Sequence, residues 1–286
     1  MPNSYITLDT LKGTAALNIG TGTGYDNRLL ELAESVSREM DRHMNRHFYY
    51  LIETRYFDGN GKNTLPVSDL ISINTLKEDD NLDGTFDVTW GTNDYFLYPL
   101  NAAPTSTWGH PYNELIVSNK SNGTQDVFIK GQRNYEIAGT WGYQKVKLDS
   151  GRNGTLASST GTSLTLSDGT VGTMFSGGQT LLIDDELLYV TLEPDSTSTA
   201  VTVNRAVNGS TGTAHTDKDV NIMQYPRPII EAVFIQVARL WKRKDSGFAS
   251  EIGFPATGQL MILKGIDSDV KELIKGYKKA VFGIGM

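Results

Sequence analysis

Residues 139–154 read GTWGYQKVKLDSGRNG, and residues 225–244 read YPRPIIEAVFIQVARLWKRK. The first stretch reads as the last strand of a compact unit, through Trp141-Gly142-Tyr143, running into a polar linker. The second is the best amphipathic helix in the chain. Ile230, Val233, Phe234, Val237, Ala238 and Trp241 recur at helical spacing, and Pro228 falls in the first turn, where its missing N–H is tolerated. Whether the long stretch between them ends a domain or interrupts one decides the architecture.

Working outward, Asp26 follows a glycine-rich approach and reads as the N-cap of a helix over 26–46. Leu29, Leu30, Ala33, Val36, Met40 and Met44 form its apolar stripe. A shorter helix around Leu8 and Leu11 precedes it. From 49 to 143 the pattern changes to short alternating segments such as YLIETRYFDG, DLISINTLKE and NYEIAGTWGY. Turn clusters (DGNGKN, DDNLDG) separate them and predict an antiparallel sheet. Residues 147–224 are rich in Thr, Ser and Gly, with only Phe175 and Tyr189 aromatic. Their alternating runs predict a small all-β barrel or sandwich, including a hairpin that turns at Asp184-Asp185. Strand-like QLMILKG follows the 228–244 helix, and a last helix is expected over 267–280.

The expected fold class is therefore α+β. A discontinuous helical bundle carries an antiparallel sheet excursion, and a small all-β barrel or sandwich is inserted into it. In domain terms, 1–146 and 225–286 form one unit and 147–224 the other.

The chain has 286 residues, a formal charge of −7 and no cysteine, which excludes disulfides and thiolate metal sites and gives no support to a nucleic-acid grip. The opening MPNSYITLDTLKG has neither a basic nor an apolar signal-type region, and no run is long enough to span a membrane, so a soluble protein made in the cytoplasm is expected.

Motifs for chemistry are weak. Gly20, Gly22 and Gly24 precede a helix without the rest of a phosphate-loop fingerprint and read as a flexible turn. His43 and His47 have i, i+4 spacing but no third ligand, and His110 and His215 show no partner in the sequence. Asp79, Asn81, Asp83 and Asp87 match calcium-loop positions around Gly84, yet Trp90 stands where a bidentate Glu belongs; a hairpin turn is the favoured reading and no metal or cofactor is expected. Asp184, Asp185 and Glu186 read as a solvated turn. No nucleophile elbow or acid pair supports catalysis, so no enzyme is expected. Two basic stretches, RLWKRKDS and KELIKGYKK, stand at helix ends, where cations are favoured in any case.

The order of the segments YITLDTLKGTAAL, MDRHMNRHF, ETRYFDGNGKNTLPVSDLISI, DYFLYPLNA, IAGTWGY and PIIEAVFIQVARLWKRKDS resembles that of the head-to-tail connector (adaptor) proteins of tailed bacteriophages. It covers about 5–143 and 225–280; the block between departs from that pattern and looks like an inserted β module. The resemblance implies a virion protein at the head–tail junction. Such a protein forms a ring, commonly of twelve subunits, that docks under the portal, bears the next tail component and lets DNA pass without specific binding. Portal or subunit contact would then fall to Arg239, Trp241, Lys242, Arg243, Lys244, Lys271, Lys275, Lys278 and Lys279. The alternative is a tail-associated carbohydrate- or host-surface-binding module, which the scarcity of aromatics in 147–224 disfavours.

Overall fold

The structure, a computed structural model, describes residues 3–13, 22–120, 123–167, 169–243 and 265–279, and the backbone alone of 251–254 and 259–262. The chain divides into two compact units: 1–45, 148–207 and 211–286 in one, and 46–147 with 208–210 in the other. The sequence reading grouped the helices with the sheet, whereas these units group them with the barrel.

The 46–147 unit is an antiparallel sheet. Strands β1 (Leu51–Gly59), β2 (Thr64–Glu78), β3 (Val88–Trp90), β4 (Tyr95–Tyr98), β5 (Tyr112–Val117) and β6 (Gly131–Trp141) order as β1-β6-β2-β5-β4, with β3 on β2. Leu65, Leu70, Leu76, Trp90, Leu115, Phe128, Tyr135, Ile137 and Trp141 form its core. Gly142, just past β6, has φ +134°, and a Cβ there would sit 2.4 Å from the Tyr49 carbonyl oxygen. That close backbone approach is the reason for glycine in the GTWGY element.

The other unit holds a closed six-stranded barrel. Its strands are β7 (Val146–Leu156), β8 (Ser163–Leu166), β9 (Thr180–Ile183), β10 (Glu186–Val190), β11 (Ala200–Asn204) and β12 (His215–Gln224). They close in the order β10-β11-β8-β7-β12-β9. Leu156, Leu164, Leu181, Ile183, Leu188, Val190, Val201, Val203 and Val220 fill the interior. The 184–185 hairpin is present as expected, pairing Ile183 with Glu186. The stretch taken for a linker after Tyr143 is instead β7. Its inward positions include Ser150 and Gly154, which carry no apolar signal. Ser150 Oγ donates to the Val220 carbonyl at 2.6 Å, and a Cβ on Gly154 would meet the Leu164 side chain at 2.6 Å.

Helices α1 (Leu8–Gly13), α2 (Asp26–Met44), α3 (Arg227–Arg243) and α4 (Ser268–Lys275) complete the unit, with a β13 (Glu251–Phe254) and β14 (Gln259–Ile262) hairpin. The expected helical bundle is not what forms: among the described residues fourteen strands face four helices, and the chain is mostly β. The apolar stripes are real, but α1 and α2 lay part of theirs on the barrel. Leu8 N–H donates to the Gly177 carbonyl at 2.9 Å, Leu8 and Leu30 side chains abut Gly177 and Gly178, and Tyr189 of β10 donates to Glu34. Asp26 is the first residue of α2 rather than its cap and pairs with Lys12 at 2.8 Å; the helix stops at Met44 because Asn45 turns left-handed, φ 54°. At α4 the cap is Asp267, whose side chain accepts from the Asp269 amide at 2.9 Å.

One half-buried ionisable group on α2 sets a pH dependence. Asp41 accepts from Tyr5 Oη at 2.6 Å and faces Arg38 at 3.3 Å. Burial is the largest influence and pushes its carboxyl up to about 6, against the opposing pull of Arg38 and Tyr5. A folded-state value above the ordinary one means the folded chain takes up a proton. This contribution is therefore complete below about pH 4 and lost as pH rises through 6, by about 3 kcal/mol. Asp41→Asn keeps an acceptor for Tyr5 and removes the charge. Its melting temperature should exceed that of the parent near neutral pH and respond less to pH between 4 and 7. Parallel curves for the two proteins would contradict this.

Candidate functional site

Several of the residues that sequence reading singled out for chemistry hold the fold, and others stand exposed. In the 79–87 loop, Asp79 Oδ1 and Oδ2 accept from the amides of Asp83 (3.1 Å) and Gly84 (2.8 Å). Asn81 Oδ1 accepts from the Asp83 amide at 3.0 Å, and Asp83 Oδ1 from that of Thr85 at 2.8 Å. These are successive side-chain-to-backbone turns, the habit of Asp and Asn in loops. The Thr85 bonds also hold the Asp83 carboxyl below its usual range. Asp87 makes no such contact among the described residues, and no group of three or more His, Asp or Glu there is placed to hold a metal ion.

Among the histidines, His43 lies exposed on α2, and the helix ends before His47, so their i, i+4 register is not continued. His47 Nδ1 meets the Tyr49 carbonyl at 2.7 Å, and His110 Nδ1 that of Ala102 at 3.0 Å. Gly22 and Gly24 are exposed ahead of α2; Gly20 lies outside the described residues.

His215 overturns its reading as partnerless, and Glu186 its reading as part of a solvated turn. Glu186 is 1% exposed, at the first position of β10. Arg205 grips it with two bonds of 2.6 Å, from Nε and Nη2. The amides of Ala206 and Thr213 add bonds of 3.1 Å each, and His215 Nε2 one of 2.9 Å. His215 Nδ1 faces Asp184 at 3.0 Å. Arg205 also donates to the carbonyls of Ser158, Gly161 and Thr213. Burial alone would raise the Glu186 carboxyl; the Arg205 guanidinium, His215 and the two amides outweigh it and hold the group below the ordinary range. The cluster ties the 184–186 hairpin, the 205–214 loop and the start of β12 into one lock. Asp185 stays exposed at the turn.

A second buried carboxylate sits in the sheet unit. Glu78, 1% exposed, accepts from Trp90 Nε1 at 2.8 Å and from Tyr135 Oη at 2.5 Å. Trp90 stacks on Phe128 at 4.7 Å, and both pack edge-on against Tyr135. Burial first, then Glu78, pushes the Tyr135 phenol up, so it remains a neutral donor. Sequence reading missed this group; nothing in the spacing of 78, 90 and 135 announces it.

The basic positions divide. Arg239 is tied to Asp267 at 3.3 Å. Trp241 is buried, edge-on to Tyr25 at 5.4 Å, and so is core rather than contact surface. Lys279 anchors the end of α2: its amide donates to the Met44 carbonyl, and its own carbonyl accepts from Asn45 Nδ2. Arg243 is half-buried and Lys275 pairs with Glu272 across an exposed turn. Lys242, Lys271, Lys275 and Lys278 are exposed, and Lys244 lies outside the described residues. The only aromatics of 147–224, Phe175 and Tyr189, are buried at 2% and 1% exposure, which withholds them from a sugar-stacking surface. No helix among the described residues is long and apolar enough to cross a membrane.

No protein-family model matches the chain, and no curated protein matches it at a significant level.

Proposed function

We propose that the chain is a structural virion subunit, a head-to-tail adaptor of a tailed phage that forms a ring under the portal. The ring extends the DNA channel and carries the next tail component. The observation that supports this most is how the polar chemistry is distributed. Glu78 and Glu186, each 1% exposed, are enclosed by donors of the fold, while Lys242, Lys271, Lys275 and Lys278 stand exposed in a chain of net charge −7. Exposed lysines at the end of α3 and along and after α4 suit docking to an acidic protein partner. The net negative charge of each subunit would let DNA slide past rather than adhere. The reading assigns no catalytic step to any residue.

Mass photometry of the purified chain, alone and mixed with portal protein, tests the proposal. A portal-dependent rise from monomer to a ring-sized species is the expected result, and charge reversal at Lys271, Lys275 and Lys278 together should suppress it. A chain that stays monomeric and ignores portal would overturn the reading.

A further inference from the structure

The loop between β4 and β5 is braced from within. Ala102 N–H donates to the Pro99 carbonyl (3.1 Å), and His110 N–H to that of Ala102 (2.9 Å). Ser106 N–H reaches Ala103 and Gly109 N–H reaches Ser106, both at 2.9 Å, and Lys145 N–H clamps Pro104 at 2.8 Å. Ala102 is fully buried at the base, and a Cβ on Gly109 would lie 1.8 Å from the Ala103 carbonyl oxygen, so this crossing admits only glycine. On that frame Trp108 is 74% exposed and Leu100 61%, the two largest exposures of big apolar side chains among the described residues. From Pro99 to Gly109 there is no charged residue. A rigid, uncharged loop presenting Trp and Leu to water has the composition of an interface anchor rather than of a solvated turn.

A groove of about 480 Å³ lies along α2 and the end of α3. Leu32, Val36 and Leu240 give it an apolar floor, and Ser35, Glu39, Arg42 and His43 line its rim. Glu39 and Arg42 form no ion pair among the described residues.

We propose that the Trp108 loop of one copy seats in the α2 groove of a second copy. The inference rests on the ring reading and deepens it by naming the contact between subunits. The fit is chemical. The floor takes the indole ring and Leu100, the Arg42 guanidinium suits the indole face, and the Glu39 carboxylate suits the indole N–H, which can only donate. Knob and socket are different places on the chain, so the contact is heterologous: each copy offers a knob to one neighbour and a socket to the other, which propagates until a ring closes. One such loop buries less than the roughly 1,200 Å² of a stable interface. Free copies therefore associate weakly, and the contact becomes durable when neighbours or a docking platform hold several copies together.

The absence of cysteine in the chain makes the test clean. Thr107→Cys and Ser35→Cys are combined in one chain, which is treated with a short bismaleimide over a concentration series. The expected product is a ladder beyond dimer, whereas each single-cysteine variant stops at dimer. Adding Trp108→Ala to the double variant should lower bridging about 30-fold, in line with loss of a hot-spot anchor. Mass photometry of the same samples separates the two claims. Self-assembly without 107–35 bridges, or bridging indifferent to Trp108→Ala, overturns the knob and socket while leaving the ring. No self-association at any concentration, either alone or with portal protein, overturns both.

Discussion

Arg205→Met should destabilise the barrel by about 3–5 kcal/mol, because it strands a buried charge. Glu186 is 1% exposed and accepts two of its bonds from Arg205. Without the guanidinium, only His215 and two backbone amides remain to offset desolvation. Three carbonyls, of Ser158, Gly161 and Thr213, lose their donor as well. Glu186→Gln should cost less, since the amide oxygen can still accept from Ala206 or Thr213. Chemical denaturation of the three proteins checks the order. Because the Glu186 carboxyl is held below its ordinary value, its contribution is present above the ordinary carboxylate range and is lost as pH falls through that range. The parent should therefore lose stability on acidification in a way that the Glu186→Gln variant does not. An Arg205→Met protein as stable as the parent would mean that water enters and solvates Glu186.

Glu78→Ala should cost the sheet unit about 2–4 kcal/mol. It removes the shared acceptor of Trp90 Nε1 and Tyr135 Oη, leaves two buried donors unsatisfied and opens a void beside the stacked rings. Tyr135→Phe, which deletes one donor and leaves Glu78 its bond from Trp90, should cost less, although the Ile129 amide then loses its acceptor. In a double-mutant cycle the two losses should fall short of additive, since both substitutions break the same hydrogen bond. Additive losses, measured by denaturant midpoint, would show that the Tyr135–Glu78 bond contributes nothing of its own.

The parts of the fold legible in the sequence were those with period. The α2 stripe, the α3 stripe and the alternating strands of 51–141 all carry a repeat that burial then follows. Strand β7 was illegible because it turns Ser150 and Gly154 inward; a strand whose core side is small or hydroxylated resembles a linker. The bundle expectation failed for a different reason. A stripe states that a helix must be covered, not what covers it, and the glycines at 177 and 178 let α1 and α2 approach the barrel. At the candidate sites, the turn reading of 79–87 had a local signal in its Asp, Asn and Gly spacing. The Glu186 lock did not: its partners lie 19 and 29 residues away, on another strand and loop. Trp241 misled because a tryptophan at a basic helix end looks like contact surface; its partner Tyr25 is remote in sequence.

The closed barrel has one more consequence. A circle of strands offers no unpaired backbone, so β7 to β12 cannot recruit a strand from another molecule. The sheet of the 46–147 unit is open, bounded by β1, by β4 and by the three-residue β3. Of these, β3 and β4 have only three and four residues, whereas β1 has nine and carries Glu53, Arg55 and Asp58 along its length. Wherever many copies are crowded together, runaway strand addition has one long border to start from, and that border carries charges of both signs.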